Sequence, residues 1–409
     1  MQIIIMNILA IETSCDETAI TILTATPDNQ DKPSFKVLSH FVLSQIDIHK
    51  EYGGVFPNLA KRAHAENLPT LLQKSLQTAG LAIEGDSSVR VSTCGGDLAE
   101  LLSREPEMKE QLVSILANYE KPEIDYICVT NGPGLEPALW VGINFAQALA
   151  LIWDTPVVPV NHMEGHIVSV FAEGDEFTVA EPQFPTLSLL ISGGHTELVL
   201  SRIWGSYEKI GQTVDDAVGE AFDKTARVLG LQYPGGPKIS KYAQSYRESA
   251  SADDLAEYKT LFPRPMKGSG DYNFSFSGLK TAVLRYVKEL GDTETLSEEQ
   301  KEHISYAFEE AVADVLIYKT KKAIEEYGVE TLIIAGGVSA NQYLRESFSN
   351  MLEKDFSHIT LKIPDLSLTG DNSLMIAVAG YYKILEYKKS PNVHIPKNGD
   401  IRAEGNLSF

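Results

Sequence analysis

The sequence predicts an α/β fold organised as two similar lobes, and three observations carry that expectation. Apolar runs of strand length alternate with helical patterns along the chain. Two strand-turn-strand units share one shape: IIIMNILAIET, the turn SCDE and TAITILTAT near the start, and PTLSLLISGGHTELVLSRI near the middle. At 409 residues the chain has room for about two to three domains, each with its own core.

Taken in order, Ile3 to Thr13 is a β-branched apolar run and reads as a buried strand, with a returning strand after SCDE. GVFPNLAKRAHAENLPTLLQKSLQTAGL carries a helical pattern. IDYICVTNGPGL is a buried strand ending in a Gly-Pro turn, PALWVGINFAQALALIW an apolar helix, and TPVVPV a short strand that runs straight into NHMEGH. In the second half DDAVGEAFDKTARVLGL and SEEQKEHISYAFEEAVADVLIYKTKKAIEEYG read as helices, VETLIIAGGVSAN as a strand and turn, and DNSLMIAVAGYYKILEY as a last helix. Ala82 to Pro122 and Ala243 to Gly270 are charged or Pro/Gly-spotted and read as surface excursions.

Composition narrows the function classes. The hydrophobic fraction of 43% and charged fraction of 22% are those of an ordinary soluble protein. A net charge of −21 argues against non-specific binding to nucleic acid or an anionic membrane, so a nucleic-acid substrate needs a local basic surface or a partner that supplies one. Lys61 with Arg62, and Lys319 to Lys322, are the candidate surfaces. Cys15, Cys94 and Cys128 have no C-x-x-C spacing, which points to a reducing compartment and away from a zinc ribbon. The apolar N-terminus has no basic flank and is interrupted by Glu12, and no segment has the length of a membrane span; a cytoplasmic protein is expected.

The stretch VNHMEGHIV places His162 and His166 four residues apart, one above the other on a helix, where both can face one metal ion. A metalloprotease helix carries its general base directly after the first histidine. Here that place holds Met163, and Glu164 is turned away from the histidine face, which speaks against proteolysis.

Four glycine-bearing turns follow apolar elements: TNGPGL, ISGGHT, YPGGP and IAGGVSAN. Each is explained by turn geometry alone, but four together favour a nucleotide site, since glycine lets backbone N–H groups approach phosphate. Asp16 and Glu17 sit in the first hairpin turn, where a solvated turn role competes with a role at phosphates. Asp371, in SLTGDNSLM, reads either as the N-cap of the last helix or as a third metal ligand.

These motifs together resemble the TsaD family of tRNA threonylcarbamoyladenosine synthases, in its bacterial and organellar branch. The matching stretches are AIETSCDETA, NGPGL, NHMEGH, LISGGHTEL, DDAVGEAFDKTARVLGLQYPGGP, FSFSGLKTAV, IIAGGVSANQYLR and GDNSLMIAVAGY. The resemblance implies the actin-like, sugar-kinase and Hsp70-type (ASKHA) fold, with two α/β lobes around a nucleotide cleft. It places residues 1–159 and 372–409 in an N-terminal lobe with an insertion at 82–122, and 160–371 in a C-terminal lobe with most of the nucleotide and metal site. It implies transfer of threonylcarbamoyl from threonylcarbamoyl-AMP to N6 of adenosine 37 in tRNAs reading ANN codons. His162, His166 and Asp371 would then bind one divalent ion, Fe2+ or Zn2+. Leu190, Ile191, Ser192, Gly193 and Gly194 would contact the adenylate phosphate and sugar, Asp223 and Gly236 ribose and base, and Asn341 the adenosine. Glu17 and Asp16 match the acidic pair implicated in activity. Besides tRNA, the implied partners are TsaB-like and TsaE-like proteins or a second copy of the chain, with no membrane. The 82–122 segment is longer than the family usually carries, and GLEPALW departs from the usual residues after the GPGL turn.

Two rival classes are a small-molecule kinase of the same fold and a metallopeptidase. A kinase leaves the two-histidine metal motif without a role. The peptidase lacks the H-E order.

Overall fold

The computed structural model describes residues 5–27, 32–390 and 394–409. It divides into two compact units, one made of 1–49, 55–181 and 370–409, the other of 50–54 and 182–369. The units break the chain at 181/182 and 369/370 instead of at 159/160 and 371/372. The NHMEGH helix and Asp371 therefore belong to the first unit and not to the expected C-terminal lobe. The reason is packing: the helix that follows Asn161 lies against the C-terminal helix of the same unit.

The first unit is built on a six-stranded sheet of β1 (Met6–Glu12), β2 (Glu17–Thr26), β3 (Ser34–Ser44), β4 (Tyr126–Gly132), β5 (Val157–Asn161) and β6 (Glu176–Thr178), in the order β5-β4-β1-β2-β3-β6. Ile3 and Ile4 of the predicted first strand lie outside the described residues. β1 pairs parallel with β4 and antiparallel with β2, so it is a central strand buried on both faces, which is why its sequence is continuously apolar. The second unit has a five-stranded sheet of β7 (Thr186–Ile191), β8 (Thr196–Ile203), β9 (Ser206–Gln212), β10 (Thr331–Ala335) and β11 (Thr360–Lys362), in the order β11-β10-β7-β8-β9.

Five strands of each sheet share one order and one set of senses. In each, a first strand pairs antiparallel with the second and parallel with the fourth, the second pairs antiparallel with the third, and the fourth parallel with the fifth. The duplication anticipated from the two hairpins is thus a duplication of the sheet. β3, β9 and β11 were not anticipated. Val42 and Leu43 at the end of β3 are exposed, so its in-out alternation is blurred.

Each unit has its own core. Leu9, Ile11, Ile20, Ile22, Val129 and Phe145 centre the first, and Leu187, Leu189, Phe222, Phe308 and Leu332 the second. The longest helix, Glu298–Tyr327, starts where Ser297 and Gln300 exchange hydrogen bonds in a capping box and stops at Gly328, whose φ of 62° takes the left-handed cap.

Neither predicted surface excursion is a loose loop. Residues 82–122 form helices at Ser88–Thr93, Gly95–Leu101 and Pro106–Leu116, and Val91, Leu98, Leu102, Met108, Leu112 and Leu116 join the first unit's core. Residues 243–270 lie within and after the Gly235–Ser249 helix and include the Ala252–Lys259 helix, with Ala243, Tyr246 and Phe262 buried. No helix among the described residues is long and apolar enough to cross a membrane.

Candidate metal centre

The helix His162–Ser169 begins directly after β5, so its first residue is pinned by the sheet. Asn161 caps it, its side-chain oxygen accepting from the N–H groups of Met163 at 2.8 Å and Glu164 at 3.4 Å. The C-terminal helix Ser373–Lys389 is capped by Asn372, which accepts from Met375 N–H at 3.0 Å. The cap expected at Asp371 is one residue further on, and the Asp371 carboxylate is turned to the two histidines instead. Gly165 brings the helices together: a Cβ there would stand 3.0 Å from side-chain atoms of Met375 and Ile376. A side chain at the third position between the histidines would need Met375 and Ile376 to give by a few tenths of an ångström, so glycine suits this close helix approach.

Asp371 Oδ1 lies 3.3 Å from His162 Nε2 and 3.2 Å from His166 Nε2. A tetrahedral ion with bonds of about 2.0 Å has ligand-to-ligand edges of about 3.3 Å. The His166 ring is buried; its Nδ1 has no hydrogen-bond partner among the described residues, and its Nε2 faces the Asp371 carboxylate, in the position from which both would bond one ion. Burial, outweighing Asp371, holds the pKa of His166 below the ordinary value, which keeps the ring in the neutral form that ligates. The Asp371 side chain is 18% exposed against 1% for His166, so the open side of the group is the aspartate side. The donor set of two imidazoles and one carboxylate fits Zn2+ or Fe2+ with coordination positions to spare.

His162 has a second partner. Its Nδ1 lies 3.1 Å from Glu12 Oε2 and 3.3 Å from Ser14 Oγ. Glu12 is fully buried at the end of β1, and also accepts from Thr130 O–H at 2.5 Å and from Ser14 N–H at 2.5 Å. Burial opposes a charged His162, yet the carboxylates of Asp371 and Glu12 outweigh it and hold its pKa well above the ordinary value. In the sequence Glu12 stands out only as a break in an apolar run. A carboxylate inside a buried strand was the signal that could have found it.

Asp16 and Glu17, expected at a hairpin turn, follow β1 closely, and Asp16 is buried. Burial first, then Asp371 and Asp16, push the Glu17 carboxyl up to about 10. Burial first also raises Asp16, while hydrogen bonds from Cys15 and Glu17 act to lower it. The pair thus shares a proton, Glu17 donating and Asp16 accepting. Glu164 is half-buried beside Lys383 and Glu386, away from the histidines, as its helical offset requires.

The eight residues expected at the nucleotide all lie in the second unit, with three of the four glycine segments; the fourth, TNGPGL, lies in the first unit, where a Cβ on Gly134 would come within 2.7 Å of Ser14 O. A Cβ on Gly219 would come within 2.6 Å of Ser192 O, and one on Gly336, whose φ is 92°, within 2.5 Å of Ile191 O. Gly193 and Gly194 are different: neither has a left-handed φ, and a Cβ would meet nothing within 4 Å. The turn itself does not require glycine at either place, which favours a ligand's close approach. Leu190 and Ile191 have fully buried side chains, so only their backbone can touch a ligand. Asp223 accepts from Gly235 N–H at 2.7 Å; at the adjacent Gly236 a Cβ would be in ordinary contact with Phe222 at 4.0 Å. Asn341 donates to Ser240 Oγ at 2.9 Å and Glu309 Oε1 at 2.7 Å and accepts from Leu344 N–H, leaving one lone pair on its amide oxygen.

The candidate basic surfaces are largely spent. Lys319 is buried and donates to Ser269 and Asp271. Lys321 pairs with Asp355 at 2.8 Å, Lys322 donates to Gly270 O, and Lys61 pairs with Glu105 at 2.8 Å.

Fold and site together define an α/β protein with a duplicated sheet, a two-histidine, one-aspartate group within metal-ligand reach, and a set of closely packed glycine turns in its second unit. The chain belongs to the TsaD family, tRNA N6-adenosine threonylcarbamoyltransferase, whose model matches residues 36–95 and 108–378. It is 42% identical to the tRNA N6-adenosine threonylcarbamoyltransferase of Thermosipho africanus over 99% of this chain and 100% of that one. The similarly named protein of Paraburkholderia xenovorans is 39% identical, over 93% and 92%, and that of Bacillus subtilis 39%, over 92% and 90%. A crystal structure of full-length HypF in phosphate- and nucleotide-bound form shares the fold, with a TM-score of 0.51 at 13% identity, over 93% of this chain and 47% of that one. The chain spans about half the length of HypF, and the likeness is one of fold. The family match omits residues 96–107, inside the segment read as an insertion.

Proposed function

We propose that the protein transfers threonylcarbamoyl from threonylcarbamoyl-adenylate to N6 of adenosine 37 in tRNAs reading ANN codons, giving the modified base and AMP. The observation that carries this reading is the His162, His166 and Asp371 group, placed within metal-ligand reach in a chain of this family. In the reaction a bond forms between N6 and the carbamoyl carbon, and the bond from that carbon to the phosphate oxygen breaks. N6 gives up one proton.

AMP is a good leaving group, so the demands are positioning, stabilising charge on the carbonyl and phosphate, and accepting the proton. Fe2+ or Zn2+ held by His162, His166 and Asp371 would supply Lewis acidity. The backbone of Leu190 to Gly194 supports the phosphate and sugar. Asp223 and Gly236 hold ribose and base, and the fixed amide of Asn341 presents its remaining lone pair to the adenosine. Asp16, accepting Glu17's hydrogen bond, takes the amine proton, and Glu17 orients it.

With Lys319 buried and Lys61, Lys321 and Lys322 already paired, tRNA binding draws on partners, either TsaB-like and TsaE-like proteins or a second copy of the chain. The test is to incubate the protein with threonine, bicarbonate, ATP, a TsaC-type adenylate synthase and tRNA, with and without those partners. Mass spectrometry of digested tRNA should show threonylcarbamoyladenosine. Its absence under every partner set overturns the proposal.

A further inference from the structure

We propose that Glu12 is a positioning residue for the metal centre, fixing the tautomer and orientation of His162 so that Nε2 presents a lone pair to the ion. This rests on the metal reading of His162, His166 and Asp371 and extends it to a residue that touches neither ion nor substrate.

Glu12 has no exposed surface, and a buried anion is costly unless every oxygen is paired. Oε1 accepts from Ser14 N–H, while Oε2 accepts from Thr130 O–H and faces His162 Nδ1 at 3.1 Å. Thr130 lies on β4 and Glu12 on the adjacent β1, so the side chain also joins two strands. A neutral amide could make that join. An anion is called for by the imidazole: a carboxylate accepting from Nδ1–H holds that tautomer and makes the opposite nitrogen a stronger ligand. The charges agree. Glu12 and Asp371 together carry minus two, which a divalent ion matches with both histidines neutral. Ser14 Oγ, at 3.3 Å, is the weaker neighbour of the same nitrogen.

The experiment compares wild type, Glu12→Gln, Ser14→Ala and His166→Ala as full-length purified chains. Each is stripped, reloaded with Zn2+, and titrated against a chromophoric chelator; Co2+ spectra report the ligand field, and thermal melts of the stripped proteins report folding. Glu12→Gln should bind Zn2+ about 10- to 100-fold more weakly, with an altered Co2+ spectrum, while Ser14→Ala stays within about threefold of wild type. If Glu12→Gln does not fold, Thr130→Val, which loosens the carboxylate without removing it, should weaken Zn2+ binding by about three- to tenfold. Wild-type affinity and spectrum in Glu12→Gln, or in Thr130→Val where that variant must decide, overturn the inference alone, provided His166→Ala has lost the metal. A wild-type chain that binds no Zn2+, or a His166→Ala chain that binds it fully, overturns the metal reading itself.

Discussion

Three buried histidines in the first unit are set to different charge states by their neighbours. Asp371 and Glu12 favour the charged form of His162, burial keeps His166 neutral, and burial drives His64 down to about 4. His64 Nε2 lies 3.0 Å from Cys15 O, which can only accept, so Nδ1 is the nitrogen that accepts from Thr18 O–H at 2.8 Å. The Gln45 side chain packs against the same ring, and its backbone N–H donates to Asp16 O at 2.9 Å, so this neutral histidine stands behind the acidic turn. Between the ordinary histidine pKa of about 6.5 and a folded value of about 4, the unfolded chain binds the extra proton. Stability therefore falls as pH drops through that window, and His64 accounts for up to about 3 kcal/mol of the fall. Urea midpoints from pH 7.5 to 4 should decline less steeply in His64→Gln; an unchanged slope contradicts the assignment. The sequence made His162 and His166 legible because their spacing is local. It could not show what Glu12 or His64 pairs with, because their partners at His162 and Cys15 lie 150 and 49 residues away.

Among the elements, the helices inside 82–122 reverse the reading of that segment as a surface excursion. Met108, Leu112 and Leu116 recur every four residues and form one buried face, but SREPEMKEQL surrounds them with charge and masks the period. Leu102 is fully buried in the same cluster, and Glu105 pairs with Lys61 of the Pro57–Thr78 helix. These contacts tie residues 96–107, which the family match omits, to the first unit's core. Leu102→Ala should cost about 2 to 5 kcal/mol, as for other buried leucines. Chemical denaturation checks this: a loss under about 0.5 kcal/mol, the range of ordinary surface substitutions, would mean that the segment is not part of the core. The strands of the two hairpins were legible because burial on both faces gives unbroken apolar runs, whereas β3 and the short β11 give no such run.

At the scale of the whole molecule, the duplication was readable from two similar hairpins, but the shared strand order was not. It depends on pairings such as β1 with β4 and β7 with β10, joined by more than a hundred residues of intervening chain. The first unit holds the candidate metal ligands and the acidic pair, and the second the glycine turns at Ile191 to Gly194, Gly219 and Gly336. A net charge of −21 and a buried Lys319 remove one of the local basic surfaces that a phosphate backbone would need. The central claim, that the two histidines and Asp371 hold an ion required for threonylcarbamoyl transfer, meets its most direct test in a single-turnover reaction. Preformed threonylcarbamoyl-adenylate and tRNA are mixed with the partner-complemented protein, stripped or reloaded with Zn2+ or Fe2+, and the modified base is counted by mass spectrometry. The reloaded wild type should form product at least about 100-fold faster than the stripped protein or a reloaded His162→Ala, His166→Ala chain, a difference of about 3 kcal/mol in barrier; equal rates in all three would contradict it.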